Sequence, residues 1–342
     1  MERSDIITLI IVLIAVIIVF TILYFEIGKY FYGVALDPNV DKTYLLNKKQ
    51  LSYDEEKERE KQIKWLKEKS EEINIESTQN GELKLHAYKI KNEQETKKWV
   101  IAIHGYSSEG TGMTKYAQKF YEKGYNVLLP DLRGHGKSEG DYIGMGWHDR
   151  YDIIDWANYL IKENTGNEII LYGVSMGAAT VMMTAGEELP DNVKLAIEDC
   201  GYTSAWDILK YQLKEIYHLP VFPILYAANG SCKKNANYKL KEASAIKQVE
   251  KSNIPILFIH GDEDKFVPFE MLDKLYDAAD CEKEKLVIEG AGHGESSTKD
   301  PELYWKTIDE FIDKYINGKQ PEQTENEELQ TTTEEAPQEN VQ

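Results

Sequence analysis

The chain has 342 residues, of which 42% are hydrophobic, enough for one large buried core with extensions or for two small domains. Its formal net charge of -19 and isoelectric point near 4.9 oppose binding to phosphate backbones, and no basic stripe reverses the sign locally, which excludes nucleic acid as a partner. The three cysteines, Cys200, Cys232 and Cys281, lie far apart without CxxC spacing, so they indicate neither a zinc or redox site nor a disulfide framework.

The first element is an apolar run from Ile6 to Phe25 that contains no charged residue. As a helix, such a run would be about 30 Å long, the thickness of the hydrocarbon core of a bilayer. It exceeds the apolar region of a usual signal peptide, and no small-residue cleavage site follows it directly. We therefore expect residues 1–27 to be an uncleaved transmembrane anchor. A buried core helix and a cleaved signal peptide are the alternatives.

Basic residues on the two sides of this run bear on its orientation in the cell membrane. Arg3 precedes the run, whereas Lys29 and three further lysines between residues 42 and 49 follow it. The positive-inside bias between the two sides is weak. We expect the short N-terminus inside the cell and the rest of the chain outside.

Two charged segments flank the central part of the chain. In the juxtamembrane segment, residues 28–74, the stretch 53–70 carries acids and bases at helical spacing and predicts a solvated helix. Its Trp65 and Leu66 are expected to pack that helix on the domain. Residues 317–342 are acidic and almost without apolar side chains, so they cannot offset the entropy of ordering and are predicted to be a disordered tail.

Residues 75–316 alternate between short apolar runs and helical stretches. The apolar runs are rich in β-branched residues and too continuous for half-exposed strands, so they predict central parallel strands. These runs are 99–103, 127–129, 169–172, 195–197, 254–259 and 286–288. The helical stretches are 116–123, 151–162, 178–188, 270–279 and 304–315. The alternation predicts an α/β domain with a mostly parallel sheet and helices on both faces, and alternation at 83–87 predicts an antiparallel strand that leads into it.

The strongest local signal for chemistry is the pentapeptide Gly173-Val-Ser175-Met-Gly177 between a predicted strand and a predicted helix. A nucleophile on such a sharp turn has strained dihedrals, and a glycine two positions away on either side lets strand and helix approach without a side-chain clash. The turn would expose the Ser175 oxygen at the carboxyl edge of the sheet, beside a helix N-terminus that favours negative charge. Ser175 is therefore the candidate nucleophile. An ordinary loop between strand and helix is the alternative.

With this motif the chain from about Ile75 to Ile316 resembles the α/β-hydrolase superfamily, particularly its esterase, lysophospholipase and serine-aminopeptidase-like branches. Four further segments support the resemblance in the expected order. The segment 101–106 is similar to the oxyanion-hole loop, which implies the backbone N–H groups of Tyr106 and Met176 as oxyanion donors and a structural role for His104. The segment 130–138 is similar to the D-x-R-G-x-G-x-S loop and is interpreted as structural.

The third and fourth segments supply the acid and the histidine. Residues 260–268, HGDEDKFVP, match the H-G-x-x-D-x-x-V-P pattern and place Asp264 at the acid position, with Asp262 as its rival and Asp199 as the next candidate. Two solvated loop acids are the structural alternative. His293, in the sequence GAGHG after the last predicted strand, lies where the family has its catalytic histidine. The chain order Ser175, Asp264, His293 is the order of this fold.

The resemblance implies a serine hydrolase that cleaves ester or amide bonds through an acyl-enzyme, without a metal or organic cofactor. A carboxylesterase or lysophospholipase-like enzyme is the first expectation, acting on a small acyl ester, a lysolipid or a peptide. A serine peptidase and a non-catalytic membrane-anchored binding protein with the same fold are the alternatives. Residues 203–249 are rich in aromatics and longer than a crossover needs, so they predict either a cap or the core of a crossover helix.

Overall fold

The computed structural model describes residues 2–42, 52–79 and 83–318 of the chain. The strands are β1 (Ser70–Glu76), β2 (Lys84–Ile90), β3 (Lys98–Ile103), β4 (Asn126–Pro130), β5 (Glu168–Val174), β6 (Val193–Asp199), β7 (Ile256–Gly261) and β8 (Lys283–Ile288). The helices are α1 (Arg3–Leu36), α2 (Tyr53–Lys69), α3 (Thr114–Glu122), α4 (Asp149–Glu163), α5 (Met176–Ala185), α6 (Ala205–Tyr211), α7 (Val221–Ala236), α8 (Ala245–Val249), α9 (Glu270–Ala278), α10 (Ser296–Lys299) and α11 (Pro301–Ile312). Short π-helical segments, Gln212–Ile216 and Asp313–Asn317, follow α6 and α11.

The eight strands form one sheet in the order β1-β2-β4-β3-β5-β6-β7-β8. β1 pairs with β2 and β2 with β4 in antiparallel fashion, and the five pairings from β4–β3 to β7–β8 are parallel. The predicted mostly parallel sheet is therefore confirmed, including its antiparallel entry strand. Because the carboxyl ends of parallel strands lie at one edge, the loops after β3, β5, β6 and β7 converge there.

Helices cover both faces of the sheet and explain why its central strands are continuously apolar. On one face, Trp156 of α4 and Val181 of α5 belong to a cluster with Ile101 of β3. On the other face, Phe120 of α3 and Phe311 of α11 belong to the second cluster. A strand that is buried on both faces has no solvent side to mark with polar residues, as the sequence predicted.

Two of the predicted segment boundaries fall inside elements of the structure. The boundary at residue 27 falls inside α1, which continues without interruption to Leu36. The boundary at residue 75 falls inside β1, an edge strand that the sequence did not predict because its glutamates continue the charged pattern of α2. α2 itself is confirmed, and its Leu66 is buried at the domain surface. The predicted disordered tail, 317–342, lies outside the described residues beyond Gly318.

α1 has two physically different parts. An 18-residue window within it has a mean hydropathy of 3.5 and is 0% buried, so the helix is long and apolar enough to cross a membrane. Its last turns instead pack on the domain against α7, so tightly that a Cβ on Gly28 would come within 2.5 Å of the Ala227 carbonyl oxygen. Leu36 is 1% exposed, and its carbonyl oxygen accepts a hydrogen bond from Ile143 N at 2.8 Å. The domain therefore includes the end of α1.

A pair of truncations tests this division of α1. Deleting residues 1–27 should give a soluble, folded domain, because the exposed apolar part is removed and the packed turns remain. Deleting residues 1–36 should lower the melting temperature by about 5 °C or more, because each buried apolar side chain contributes roughly 1.5–3 kcal/mol. Equal melting temperatures of the two truncated proteins, measured by circular dichroism, would show that the end of α1 is not part of the folded domain.

Candidate active site

Ser175 lies at the sharp turn between β5 and α5, with φ 59° and ψ -117°. A non-glycine residue with positive φ in this region is strained, so surrounding contacts must hold it. Ser175 N donates a hydrogen bond of 2.8 Å to the Asp199 carbonyl oxygen on the neighbouring strand. A Cβ on Gly173 would collide with the backbone of Gly177, and a Cβ on Gly177 would collide with the Ile103 carbonyl oxygen. The two glycines therefore permit the close packing that the pentapeptide predicted.

The structure brings Ser175, His293 and Asp264 into one hydrogen-bonded chain. His293 Nε2 lies 2.8 Å from Ser175 Oγ, and His293 Nδ1 lies 2.7 Å from Asp264 Oδ2. With the proton on Nδ1, the imidazole donates to the carboxylate and accepts from the hydroxyl. This geometry allows a proton to pass from the Ser175 hydroxyl to the imidazole while the carboxylate orients the ring.

Asp264 is buried yet kept as a carboxylate. Burial by itself raises the pKa of Asp264, but hydrogen bonds with His260 and His293 outweigh it and hold that pKa well below its usual range. Its other oxygen, Oδ1, accepts hydrogen bonds from Phe266 N at 2.8 Å and Val267 N at 2.9 Å. These donors stabilise the ionised form and fix the carboxylate in place.

The two rival aspartates have other partners. Asp262 Oδ1 accepts a hydrogen bond from Gly290 N at 2.6 Å and joins two loops. Asp199 is buried, and its carboxylate accepts from Ser296 Oγ at 3.1 Å and from Tyr304 Oη at 2.9 Å. Burial raises the pKa of Asp199. Of the three aspartates, Asp264 is the one that contacts the His293 ring.

The loop after β3 passes directly beside Ser175. A Cβ on Gly105 would lie 3.3 Å from Ser175 Cβ, and both Tyr106 and Met176 line the same cavity as Ser175. His104 is fully buried, with Nε2 accepting from Leu132 N at 3.0 Å and Nδ1 donating to the Gly105 carbonyl oxygen at 2.8 Å. The predicted structural role of His104 is confirmed by these bonds.

The loop 130–138, which the sequence predicts to be structural, is a hydrogen-bonded turn in which Asp131 and Arg133 are buried. Asp131 accepts from Gly110 N at 2.6 Å and from Lys137 N at 2.9 Å. Arg133 is fully buried and forms two hydrogen bonds of 2.7 Å to the carboxylate of Asp152 in α4. Such a bidentate pair fixes geometry, and removal of one partner would leave a buried unpaired charge.

A cavity of about 250 Å³ opens at Ser175. Its walls come from the end of α1, from α6, from α7 and from the loop that carries Phe266 and Val267. Within the described part of the chain, the residues around it are apolar or aromatic apart from Ser175 and Gln212. This lining suits an apolar acyl group better than a charged one, because a charge buried without a partner is costly.

Two contributions to the site were not predicted from sequence. The turns of α1 beyond residue 27 form one wall of the cavity, and Tyr106 Oη donates a hydrogen bond of 2.7 Å to the Ala35 carbonyl oxygen there. Phe266 packs against the His293 ring with 4.9 Å between ring centroids and an angle of 46° between the ring planes. The apolar sequence YFYGVAL at the end of α1 was the available signal, since it continues the helix beyond the bilayer-length run.

Cys200 is a buried cysteine next to the same site. Among the residues that the structure describes, Cys200, Asp264 and His293 form a group whose ligand atoms lie within 4.8 Å of one another. Burial raises the pKa of the Cys200 thiol well above its usual value, which keeps it protonated. Metal ligation needs the thiolate, and the two other groups are already hydrogen-bonded to each other. The arrangement thus fits proton transfer better than metal binding.

Together, the strand order, the Ser175 turn and the hydrogen-bonded chain define an α/β-hydrolase. Residues 94–201 match a family model described as serine aminopeptidase, S33. The chain is 32% identical over 221 residues to the uncharacterized protein YqkD of Bacillus subtilis (strain 168), an alignment that covers 64% of this chain and 72% of that protein. The chain belongs to the α/β-hydrolase superfamily, and its family supports hydrolase activity in general.

Two further comparisons concern a yeast relative and a solved structure. The chain is 24% identical over 233 residues to the uncharacterized membrane protein YNL320W of Saccharomyces cerevisiae, covering 67% of this chain and 75% of that protein. An esterase of Pyrococcus furiosus superposes with a TM-score of 0.59 at 22% sequence identity, covering 74% of this chain and 94% of that chain. At this identity the esterase shows a shared fold.

Replacing Asp264 and Asp262 in turn tests the assignment of the acid. Asp264→Asn should lower turnover by up to about 10⁴-fold, because the amide favours the wrong imidazole tautomer. Asp262→Asn should mainly lower stability, by about 1 kcal/mol, because it weakens one bond between loops. Turnover and melting temperature would be measured for both variants in one buffer. A large rate loss in Asp262→Asn beside near-normal Asp264→Asn would reverse the assignment.

Proposed function

We propose that this protein is a membrane-tethered serine hydrolase that cleaves carboxylic esters with an apolar acyl group. The observation that carries the proposal is the chain from Ser175 Oγ through His293 to Asp264, with distances of 2.8 and 2.7 Å. A scaffold protein would gain nothing from a strained serine that is aligned with a histidine and a buried carboxylate.

The roles follow from this geometry. His293 takes the Ser175 proton as Oγ attacks the ester carbonyl, and the backbone N–H groups of Tyr106 and Met176 bind the oxyanion. The protonated imidazole then gives its proton to the leaving alcohol as the ester C–O bond breaks. Water, deprotonated by His293, attacks the acyl-enzyme and releases the acid. Asp264 orients the ring and stabilises its charge throughout.

The lining of the cavity favours an ester over the N-terminus of a peptide. An aminopeptidase must hold a free α-ammonium group close to the scissile bond, which calls for a buried acidic partner. Among the described residues around the cavity, no aspartate or glutamate side chain is present. An uncharged acyl chain needs no such partner, so the peptidase alternative is less well supported.

The domain organisation is part of the proposal. Residues 1–27 would anchor the chain in the cell membrane, with the N-terminus inside and the hydrolase domain outside. Residues 203–249 would act as a cap, since α6 and α7 supply Ile208 and Leu225 to the cavity wall. Esters, lysolipids and other small acyl compounds would enter between this cap and the end of α1.

Labelling with a fluorophosphonate probe tests the nucleophile. The parent protein should be labelled. Ser175→Ala should not be labelled, and its ester turnover should fall roughly 10⁴- to 10⁶-fold. Ser138→Ala is the matched control: its hydroxyl donates to the Asp131 carbonyl oxygen, so its loss should cost about 1 kcal/mol of stability and leave labelling intact. Labelling that persists in Ser175→Ala, or that is absent from the parent, would favour another nucleophile or a binding protein.

A further inference from the structure

The last turns of α1, the helix proposed to cross the membrane, form one wall of the cavity. Seven consecutive positions near the end of α1 include six that line the cavity with Ser175: Tyr30, Phe31, Tyr32, Val34, Ala35 and Leu36. The exception is Gly33, which is not among the lining residues and where an added Cβ would meet nothing within 4 Å. The anchor and the substrate cavity therefore share one rigid helix, with no linker between them.

A patch of exposed apolar side chains lies beside this helix. It consists of Ile216, Tyr217, Leu219, Phe222 and Tyr226. Phe222 and Tyr226 are 70% and 48% exposed, although they lie at the start of α7, the helix that packs on α1. Tyr217 and Leu219 belong both to the patch and to the cavity lining. The apolar surface thus runs from the outside of the domain into the cavity, which is unusual for a surface that faces water.

The position of the bilayer along α1 follows from its sequence. The charge-free run ends at Phe25, and Glu26 and Lys29 follow it. Aromatic residues from Tyr24 to Tyr32 lie where a membrane–water interface favours them. At 1.5 Å per residue, the cavity wall lies about 8 to 17 Å along the helix from the end of the apolar run. The cavity mouth and the patch are therefore within reach of the lipid surface.

We propose that the substrate is a single-chain acyl ester drawn directly from the bilayer, and that the end of α1 forms the binding wall for its acyl chain. This inference rests on the proposed ester hydrolysis and adds the substrate class and its route. The patch contacts the lipid surface, and the chain slides between α1 and α7 towards Ser175. A cavity of about 250 Å³ is below the usual range of roughly 300–1,000 Å³ for drug-sized ligands, which suits one acyl chain.

The chemistry needs no additional reactant. The acyl carbon bonds to Ser175 Oγ, the ester C–O bond breaks, and the alcohol leaves with the proton carried by His293. The released alcohol carries the polar headgroup and stays on the water side. Water then hydrolyses the acyl-enzyme, and the acyl chain returns to the bilayer as a fatty acid.

The role of α1 as the wall that binds the acyl chain is tested with the full chain reconstituted in phosphatidylcholine vesicles. The measured quantity is the ratio of kcat/KM for monopalmitoylglycerol in the vesicles to kcat/KM for p-nitrophenyl butyrate in water. Val34→Trp should lower this ratio about tenfold or more, because the indole occupies space for several methylene groups. Gly33→Trp adds the same side chain one position earlier, at a residue that does not line the cavity and where an added Cβ meets no neighbour, and should stay within about twofold of the parent. Equal ratios in the two variants would overturn the proposal that the end of α1 forms the binding wall for the acyl chain.

The route is tested at Tyr226, a residue of the patch that is 48% exposed and does not line the cavity. Tyr226→Glu places a charge in the patch and should lower turnover of the vesicle-borne ester about tenfold relative to the soluble ester. Leu303→Glu is the control, because Leu303 is 41% exposed on α11, away from the cavity, and the ratio should hold there. A parent-like ratio in Tyr226→Glu would overturn entry from the bilayer.

The two proposals fail in different ways. Ser175→Ala provides the blank for both substrates. If neither ester is cleaved in a Ser175-dependent manner, the proposed function is wrong. If the butyrate ester is cleaved and the vesicle-borne ester is not, ester hydrolysis stands and the bilayer substrate is overturned.

Discussion

The strained backbone of Ser175 is the constraint on which the rest of the site depends. A residue with φ 59° is held here because β3, β5 and α5 approach more closely than side chains would permit. Two glycines and the bond from Ser175 N to the Asp199 carbonyl oxygen make that approach possible. The parallel sheet then brings the loops after β7 and β8 to the same edge, so that Asp264 and His293 meet the serine from distant parts of the chain. Strain at the turn is thus balanced by packing that spans most of the domain.

A second physical theme is the handling of buried charge around the histidine. Asp264 would be expensive to bury alone, but four hydrogen-bond donors on His260, His293, Phe266 and Val267 surround it, so it stays ionised. Glu198, one strand away, has no comparable set of donors, and burial raises the pKa of its carboxyl to about 8. The contrast shows that local donors, and not burial alone, decide which carboxyl carries the charge that a histidine base requires.

Much of the fold and of the candidate site could be predicted from the sequence because the signals were local. The central strands, the Ser175 turn and the loops of Asp264 and His293 each have a pattern within ten residues, and the chain order of the fold linked them. β1 and the end of α1 had no such local pattern. Ile73 and Ile75 of β1 alternate with polar residues at an exposed edge, whereas the last turns of α1 continue the apolar composition of the run before them. Their contacts with β2 and α7 are long-range, and apolar composition cannot show whether a helix face meets lipid or protein.

The continuity of α1 has a mechanical consequence for any function that this fold performs. A flexible linker between anchor and enzyme would allow the cavity to face any direction, and the membrane would then act only as a tether. Here the helix enters the domain as a rigid rod, packs against α7 at Gly28 and ends in a bond from Ile143 N to Leu36 O. Tilting the domain relative to α1 would require these contacts to break. The orientation of the cavity relative to α1 is therefore built into the last turns of this helix, which also line the cavity. In the proposed membrane-anchored arrangement, the membrane would be one boundary of the active site.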